Sequence, residues 1–382
     1  MTAARPVPLR LAPADHAWMR DPATRAVMAA LEAVRPGGSR FVGGCIRNAL
    51  LGKPVADIDI ATQLLPEQVI EAARAAGLKP VPTGIRHGTI SVISGGRPFE
   101  VTTLRRDVET DGRRAVVAFT EDWDEDARRR DFRLNALYAD SEGIIHDPTG
   151  GLADLDPCRF VFVGSAENRI REDYLRTLRL FRFEAWYGSG VPDSAGVAAA
   201  ARLKDGLHTL SAERVWSELK KLLAAPDPGP AVAVMAEHGI LSEILGVNGS
   251  LRILVGIINQ DISAGLEPDP LLRFVALIGG GPERIRIMAA KLKMSNAESR
   301  RLQGAVDPSL CGEVEAAFTD MAAAERAIMS LGARAFEDQV RLSAAGDVAP
   351  PPRDWTLLAK FAREWQQPDF PVSGGDLILL GY

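Results

Sequence analysis

The stretch that decides the fold spans residues 39–62 and reads SRFVGGCIRNALLGKPVADIDIAT. Its first half predicts a strand at Arg40–Val42, a turn at Gly43-Gly44 and a short helix that carries Arg47. Such a turn lets backbone N–H groups and a helix N-terminus approach an anion, with the arginine as a second contact. A Walker phosphate loop is excluded because no glycine stands five residues before Gly52. A phosphate site and a plain structural turn are both compatible with this pattern.

The second half of the stretch alternates carboxylates with β-branched residues. This alternation predicts a strand over 57–61 with Ile58 and Ile60 in the core, and with Asp57 and Asp59 on the other face. Two such carboxylates lie ~5 to 7 Å apart and repel each other unless a cation lies between them. Oxygen ligands suit Mg²⁺, which takes one or two protein carboxylates together with substrate phosphates. Beside the glycine turn, the pair predicts a metal site rather than a solvated strand face.

Two further strands are predicted at Thr89–Ile93 and Phe99–Leu104, joined by a hairpin at Ser94-Gly95-Gly96. Glu100 would present a third carboxylate if its strand lay beside Asp59. A salt-bridged or solvent-facing Glu100 is equally compatible with the sequence.

Two arginine-rich segments follow. Arg130 belongs to the run Arg128-Arg129-Arg130-Asp131, where bidentate contacts could neutralise a triphosphate and Asp131 or Asn135 could read a ribose hydroxyl. A solvated helix face is the alternative. Residues 169–187 predict one helix with a polar stripe made of Asp173, Arg176, Arg179 and Arg182.

The first pair of that stripe matches the edges of two bases. Cytosine and adenine both offer an amino donor beside a ring-nitrogen acceptor, whereas guanine and uracil offer the reverse. The Asp173 carboxylate and the Arg176 guanidinium could therefore accept C and A and reject G and U.

Composition bounds the remaining possibilities. The chain has 382 residues, 46% of them hydrophobic and 25% charged, which excludes a disordered or collagen-like chain. Forty-five basic and fifty acidic residues give a net charge of -5, so a nucleic-acid partner requires a local basic surface. Three scattered cysteines predict a reducing cytoplasm and buried thiols, and no apolar run is long enough for a membrane span.

The organisation changes along the chain from mixed strands and helices to helices throughout. We predict an α+β head with a mixed β-sheet at 1–165, followed by an all-helical neck at 166–225, a helical body at 226–345 and a short tail at 346–382. A helix at 212–224 precedes the boundary at Pro226, Pro228 and Pro230.

The ordered motifs resemble those of the bacterial class II CCA-adding tRNA nucleotidyltransferases and the related bacterial poly(A) polymerases. The resemblance covers about residues 40–225 and is carried by these segments: GGCIRN at 43–48, LLG at 50–52, DIDIAT at 57–62, GIRHGT at 84–89, EVTTLR at 100–105, RRDF at 129–132 with Asn135-Ala136, Asp147 to Gly150-Gly151 with Asp154-Leu155, and EDYLR at 172–176.

This resemblance implies a nucleotidyltransferase head and roles for the site residues. Asp57 and Asp59 would bind catalytic Mg²⁺, and Gly44, Arg47 and Arg130 would contact the nucleotide. Asp173 and Arg176 would select the base, with Arg179 and Arg182 on the triphosphate side. The implied reaction adds CCA to the 3′ end of tRNA from CTP and ATP and releases pyrophosphate, with no membrane partner. Asn48 stands where the family usually has Asp, a departure that affects a supporting hydrogen bond and no metal ligand.

Several alternatives stay open on the sequence. A poly(A) polymerase and an A-adding or CC-adding specialist would use the same active-site residues. The acidic composition disfavours the first, and the segment 107–126, which resembles a loop of full CCA enzymes, disfavours a CC-only enzyme. A catalytically dead RNA-binding protein is disfavoured because both metal carboxylates are present. The RNA backbone would be bound by basic residues of the helical region, namely Lys220, Lys221, Lys291, Lys293, Arg300 and Arg301.

Overall fold

The computed structural model of the protein describes residues 9–111, 114–190, 192–246, 249–346 and 354–367. The chain divides into two compact units, residues 1–210 and 211–382, which are described separately. The four-segment division at 165, 225 and 345 stays a prediction.

The first unit contains a mixed sheet, as predicted for an α+β head. In the described part of the chain, seven strands form this sheet in the order β3-β4-β5-β2-β1-β8-β9, and β6 and β7 form a separate two-stranded sheet. The strands are β1 (Ser39–Val42), β2 (Asp59–Thr62), β3 (Lys79–Gly84), β4 (Thr89–Ser94), β5 (Arg97–Thr103), β6 (Arg105–Asp111), β7 (Arg114–Phe119), β8 (Tyr138–Ala139) and β9 (Ile145–His146).

The helices of this unit cover the sheet and follow it in sequence. They are α1 (Ala17–Arg20), α2 (Pro22–Val34), α3 (Gly44–Leu50), α4 (Pro66–Ala75), α5 (Trp123–Arg128), α6 (Ala166–Glu172), α7 (Leu175–Tyr187) and α8 (Ser194–Arg202), with 3₁₀ turns at Ile85–His87, Arg133–Asn135, Gly151–Asp154 and Lys204–Thr209.

The second unit is helical wherever its structure is described. Its helices are α9 (Ala212–Leu223), α10 (Gly229–Glu237), α11 (Ile240–Leu245), α12 (Leu251–Ala264), α13 (Pro270–Ile278), α14 (Pro282–Lys291), α15 (Asn296–Gly304), α16 (Cys311–Ala317), α17 (Met321–Leu331), α18 (Ala333–Gly346) and α19 (Thr356–Glu364), with a 3₁₀ turn at Pro308–Leu310. No helix in the described ranges is long and apolar enough to cross a membrane.

The register at the centre of the sheet positions the functional residues. Strand β1 pairs antiparallel with β2 and ends with Val42 opposite Asp59. Strand β2 also pairs in parallel with β5, with Asp59 opposite Glu100. The hairpin predicted at 94–96 joins β4 and β5 as expected. The sheet is therefore mixed at the strand that carries the catalytic-site candidates.

Two element predictions were wrong in their extent. The strand predicted over 57–61 begins at Asp59, because β1 leaves the sheet at Gly43 and offers no partner before that pair. The helix predicted over 169–187 is two helices. Asp173 is extended, with φ −155° and ψ 105°, and its Oδ1 accepts the Leu175 N–H at 3.1 Å, which ends α6 and starts α7.

The core of the first unit lies directly beneath the sheet centre. Ile58 and Ile60 are buried as predicted. The rings of Phe132, Phe160 and Phe183 pack together, with Phe160 and Phe183 stacked at 5.0 Å between centroids. This aromatic packing fixes α7 against the loops that carry the site arginines. The three cysteines are free, but burial holds only for Cys45, since Cys158 is half-buried and Cys311 is exposed.

Candidate active site

Three carboxylates lie close together near the start of β2, the middle strand of the sheet. Asp59 opens β2 and is half-buried, Asp57 is exposed two residues before it, and Glu100 is exposed on the neighbouring strand. Parallel neighbours such as Asp59 and Glu100 are about 5 Å apart along the hydrogen-bonding direction. The pairing that the sequence left open therefore exists, and Glu100 is the acidic residue that sequence reasoning omitted from the site.

This crowding has an electrostatic consequence. Burial, and then the charges of Glu100 and Asp57, raise the pKa of Asp59 to about 6, against the opposing effect of Arg130. Within the described ranges, no three His, Cys, Asp or Glu side chains are arranged to hold a metal ion by themselves. Two carboxylates that repel each other, such as those of Asp57 and Asp59, fit Mg²⁺ when substrate phosphates complete the coordination.

The glycine turn brings its backbone close to two arginines. Gly43 has a φ of +72°, and a Cβ atom at this position would lie 3.5 Å from the Asn135 carbonyl and 3.7 Å from Arg130 Nη1. These distances are ordinary van der Waals contacts, so it is the backbone conformation that favours glycine here. The predicted strand, turn and helix with Gly44 at its start are confirmed as local structure, with Gly44 opening α3.

Arg47 is almost fully buried, with 5% of its surface exposed. Its guanidinium donates to Asn48 Oδ1 at 2.8 Å, to Asn135 Oδ1 at 2.5 Å and to Tyr187 Oη at 3.0 Å. These partners are all neutral, and burial lowers the pKa of Arg47. A buried cation held by neutral groups is a favourable site for an anion.

Asn48 replaces the family's Asp without losing the supporting contact. Its Oδ1 accepts from Arg47, and its Nδ2 donates to the Pro54 carbonyl at 2.9 Å. Asn135 and Asp131 are also used internally, because Asn135 Nδ2 donates to Asp131 Oδ1 at 2.9 Å and both residues are buried. These two side chains hold Arg47 and Arg179 in place, and the ribose contact that the sequence suggested stays a prediction.

The guanidinium of Arg130 is held by two buried side chains, the Asp126 carboxylate and the Tyr138 hydroxyl. Its Nη2 donates to Asp126 Oδ2 at 3.0 Å, and its Nε donates to Tyr138 Oη at 3.1 Å. Asp126 is 1% exposed and also accepts from Arg129 and from Tyr138. Although burial opposes it, the charges of Arg130 and Arg129 hold the pKa of Asp126 well below its ordinary value.

The break between α6 and α7 sets the pair proposed for base selection. Arg176 Nη1 donates to the Arg169 carbonyl at 3.1 Å and to Glu172 at 2.6 Å, and its Nη2 donates to the Arg129 carbonyl at 3.1 Å. These bonds use three of the five N–H groups of Arg176. The guanidinium is thus fixed, and in the described structure two donors remain for a base edge.

The next two arginines of the stripe lie on α7. Arg179 forms an ion pair with Asp131 at 2.6 Å, and with this pairing the pKa of the buried Asp131 falls to about 2 despite its burial. The Arg182 guanidinium lies 4.4 Å from the centroid of the Phe183 ring. The structure therefore brings Arg179 into the network of the head.

Several of the proposed RNA contacts in the second unit are ion-paired. Lys220 pairs with Glu298 at 3.0 Å, and Lys293 pairs with Glu213 at 2.9 Å. Arg301 is tied to both Asp269 and Asp338. RNA phosphates would have to compete with these carboxylates, so Arg301 in particular is a structural residue of this unit.

A mixed sheet with a glycine turn beside two aspartates, followed by a helix that carries several arginines, is typical of the nucleotidyltransferase class. Residues 39–159 match the family described as the poly(A) polymerase head domain. Residues 194–246 match the family described as a probable RNA and SrmB-binding site of polymerase A.

The similar proteins narrow this class. The mitochondrial CCA tRNA nucleotidyltransferase 1 of Mus musculus is 33% identical over 356 residues, which cover 90% of this chain and 78% of that protein. The CCA-adding enzyme of Lactobacillus delbrueckii subsp. bulgaricus is 31% identical over 345 residues, 88% of this chain and 83% of that protein. The crystal structure of the Bacillus stearothermophilus CCA-adding enzyme in complex with CTP has a TM-score of 0.63 and 28% identity, and covers 95% of this chain and 89% of that chain. The chain belongs to the family of CCA-adding tRNA nucleotidyltransferases.

Proposed function

We propose that this chain adds C, C and A in turn to the 3′ end of tRNA, using CTP and ATP and releasing pyrophosphate. The observation that carries the proposal is the closeness of Asp57, Glu100 and Arg130 to Asp59, with Arg47 on the helix that follows the glycine turn. Three carboxylates and two ordered arginines suit a reaction in which a hydroxyl attacks a triphosphate.

Each charged group then has a task in the transfer. Asp57 and Asp59 would hold Mg²⁺, with Glu100 adding negative charge, and the bound ion would stabilise charge that develops on the phosphoryl oxygens. Arg47 and Arg130 would bind and orient the triphosphate, together with the backbone at Gly44. Arg179 and Arg182 would act from the triphosphate side. Hydrogen bonds already hold Arg47 and Arg130 in place without substrate, so little reorganisation of their side chains is needed when the triphosphate binds.

Base selection would fall to the break between α6 and α7. The two remaining donors of Arg176 match the ring nitrogen and neighbouring acceptor of cytosine, or the ring nitrogen of adenine, while the Asp173 carboxylate would accept from the amino group. Glu172 and the Arg129 carbonyl hold the guanidinium in place. A single protein surface could thus read both bases without a nucleic-acid template.

Replacing Asp173 and Arg176 together by alanine is expected to relax base choice. Each lost pairing is worth ~1 to 3 kcal/mol of discrimination, so incorporation of UMP and GMP should rise relative to CMP and AMP. Single-nucleotide incorporation assays with each of the four NTPs measure this ratio. Retention of strict C and A choice by the double variant would place the base-reading surface elsewhere.

The product length tests the function itself. With tRNA that lacks its last three nucleotides, CTP, ATP and Mg²⁺, we expect extension by three residues and then arrest. CTP alone should give two residues, and ATP alone should add one residue to tRNA that already ends in CC. An unstructured oligoadenylate should be a poor primer, because arrest after CCA requires the space of a tRNA end held against the head.

Other products would assign the alternatives. A long adenosine ladder on any RNA end would identify a poly(A) polymerase, and arrest after two residues with both nucleotides present would identify a CC-adding enzyme. A chain that adds one A only to CC-ended tRNA would be an A-adding enzyme. Binding of tRNA without any extension would identify an RNA-binding protein.

A cytoplasmic location is also part of the proposal. It rests on the three free thiols, one of them exposed at Cys311, which suit a reducing compartment. Fractionation of cells that produce the full chain would test it.

A further inference from the structure

Asp173 and Arg176 belong to one hydrogen-bonded turn between α6 and α7, in which the Arg176 N–H donates to the Asp173 carbonyl at 3.0 Å. Asp173 is extended and Tyr174 opens α7, so the two residues do not share one continuous helix. Their separation is therefore set by the conformation of the break. Whatever holds Tyr174 in place also holds this conformation.

The Tyr174 ring lies against the backbone of Gly206. A Cβ atom at Gly206 would overlap Cδ1, Cε1 and Cζ of that ring. The φ of Gly206 is outside the left-handed region, so an alanine could adopt this backbone without conformational strain. The glycine is needed here for space alone, because the ring occupies the volume of the missing side chain.

The surface that Gly206 offers is held firmly. It belongs to the 3₁₀ turn Lys204–Thr209, where the Gly206 N–H donates to the Leu203 carbonyl at 3.1 Å and Thr209 Oγ1 donates to the Gly206 carbonyl at 2.7 Å. Leu207, the next residue, is buried and anchors the turn. The peptide beneath the ring therefore resists displacement.

The same turn is tied to the helix before the break. It directly follows α8, and Arg202 at the end of α8 donates to Glu167 of α6 at 2.7 and 3.0 Å. The turn and α6 are thus linked on one side, while the Tyr174 ring links the turn to the start of α7. Contacts through this turn therefore connect α6 with the start of α7, in addition to the chain between them.

We infer that Gly206 is a positioning residue for base selection, because its bare backbone lets the Tyr174 ring pack against it and this contact places the turn that carries Asp173 and Arg176. This inference rests on the proposed function and extends it to a residue 30 positions beyond the proposed base-reading pair. A side chain at position 206 would displace the ring, and we expect the turn that contains Asp173 to shift with it.

The test is Gly206→Ala, with Gly312→Ala as the matched control. The control makes the same chemical change in helix α16, at a position where a Cβ would meet nothing within 4 Å. With CTP and ATP we expect Gly206→Ala to raise KM and to raise misincorporation of UMP and GMP by about 10- to 100-fold, with a smaller effect on kcat. Gly312→Ala should match the wild type in KM, in kcat and in the misincorporation of UMP and GMP.

A double-variant cycle shows whether the ring transmits the effect. Tyr174→Leu removes the ring and should itself relax discrimination, whereas Tyr174→Phe keeps the ring and should not. Adding Gly206→Ala to Tyr174→Leu should cause no further loss, because the clash has gone. Effects that multiply in the double variant would overturn the inference. Should Gly206→Ala fail to fold, equal behaviour of the Leu and Phe variants would overturn it instead.

Measurements on the wild-type protein distinguish a failure of this inference from a failure of the proposed function. A folded wild type that adds neither C nor A to tRNA contradicts the proposed function. A wild type that is active and selective, beside a folded Gly206→Ala with the same KM and the same selectivity, contradicts the inference alone.

Discussion

Asp59→Asn is expected to abolish nucleotide addition while making the metal-free protein more stable. The amide cannot replace a charged metal ligand, and the lost stabilisation of the transition state amounts to several kcal/mol, or about 10³-fold or more in rate. Stability should change in the opposite direction. Burial and the charges of Glu100 and Asp57 disfavour the ionised form of Asp59, so a neutral isostere relieves repulsion on the order of 1 kcal/mol.

Three measurements on this variant check the assignment. Incorporation assays should show no product, and thermal unfolding without metal should show a Tm no lower than that of the wild type. The affinity for tRNA should be nearly unchanged, because the proposed metal ligands are not among the proposed RNA contacts. Asp57→Asn should lose activity with little change in Tm, since Asp57 is exposed. Asp15→Asn, at an exposed position, is the neutral control. Activity near that of the wild type in either site variant would remove the metal assignment.

Asp126→Ala is expected to lower the free energy of unfolding by about 3 to 5 kcal/mol and to reduce nucleotide addition. This carboxylate is buried and accepts hydrogen bonds from Arg129, Arg130 and Tyr138. Its removal leaves buried guanidinium groups without their counter-charge, which is the costly way to break a buried ion pair. Arg130 then loses the anchor that directs it toward the carboxylates, so KM for the nucleotides should rise as well.

The matched control lies two residues away on the same short helix. Asp124 pairs with Arg128, but both side chains are more than half exposed, at 56% and 67%. Asp124→Ala should therefore cost well under 1 kcal/mol. Urea unfolding of the two variants gives the comparison directly. Equal stability of both would show that the Asp126 network contributes no more than a surface pair.

The parts of this protein that follow local rules could be predicted from its sequence. The strand, glycine turn and helix around Gly43 depend on short-range conformational preferences, and the alternation at 57–61 places Ile58 and Ile60 in the core for the same reason. The Ser94-Gly95-Gly96 hairpin is likewise local. Ordered motifs of this kind also identified the family, because their residues and spacing belong to the chemistry rather than to any one contact.

Pairing between segments that are distant in the chain could not be predicted from the sequence. Glu100 joins the site because β5 runs parallel to β2, and nothing in either strand alone specifies its neighbour in the sheet. The break at Asp173 depends on a side chain that competes with the helical hydrogen bond, a choice that propensity does not resolve.

Partners of charged groups were decided in the same way. The hydrogen bonds of Arg47 to Asn135 and Tyr187 and the contact of Tyr174 with Gly206 each join residues far apart in the chain. Sequence alone determined which chemical groups this protein carries and the local elements that hold them. Tertiary structure decided which of those groups face each other, because burial and pairing act through space and are set only when the strands and helices have packed.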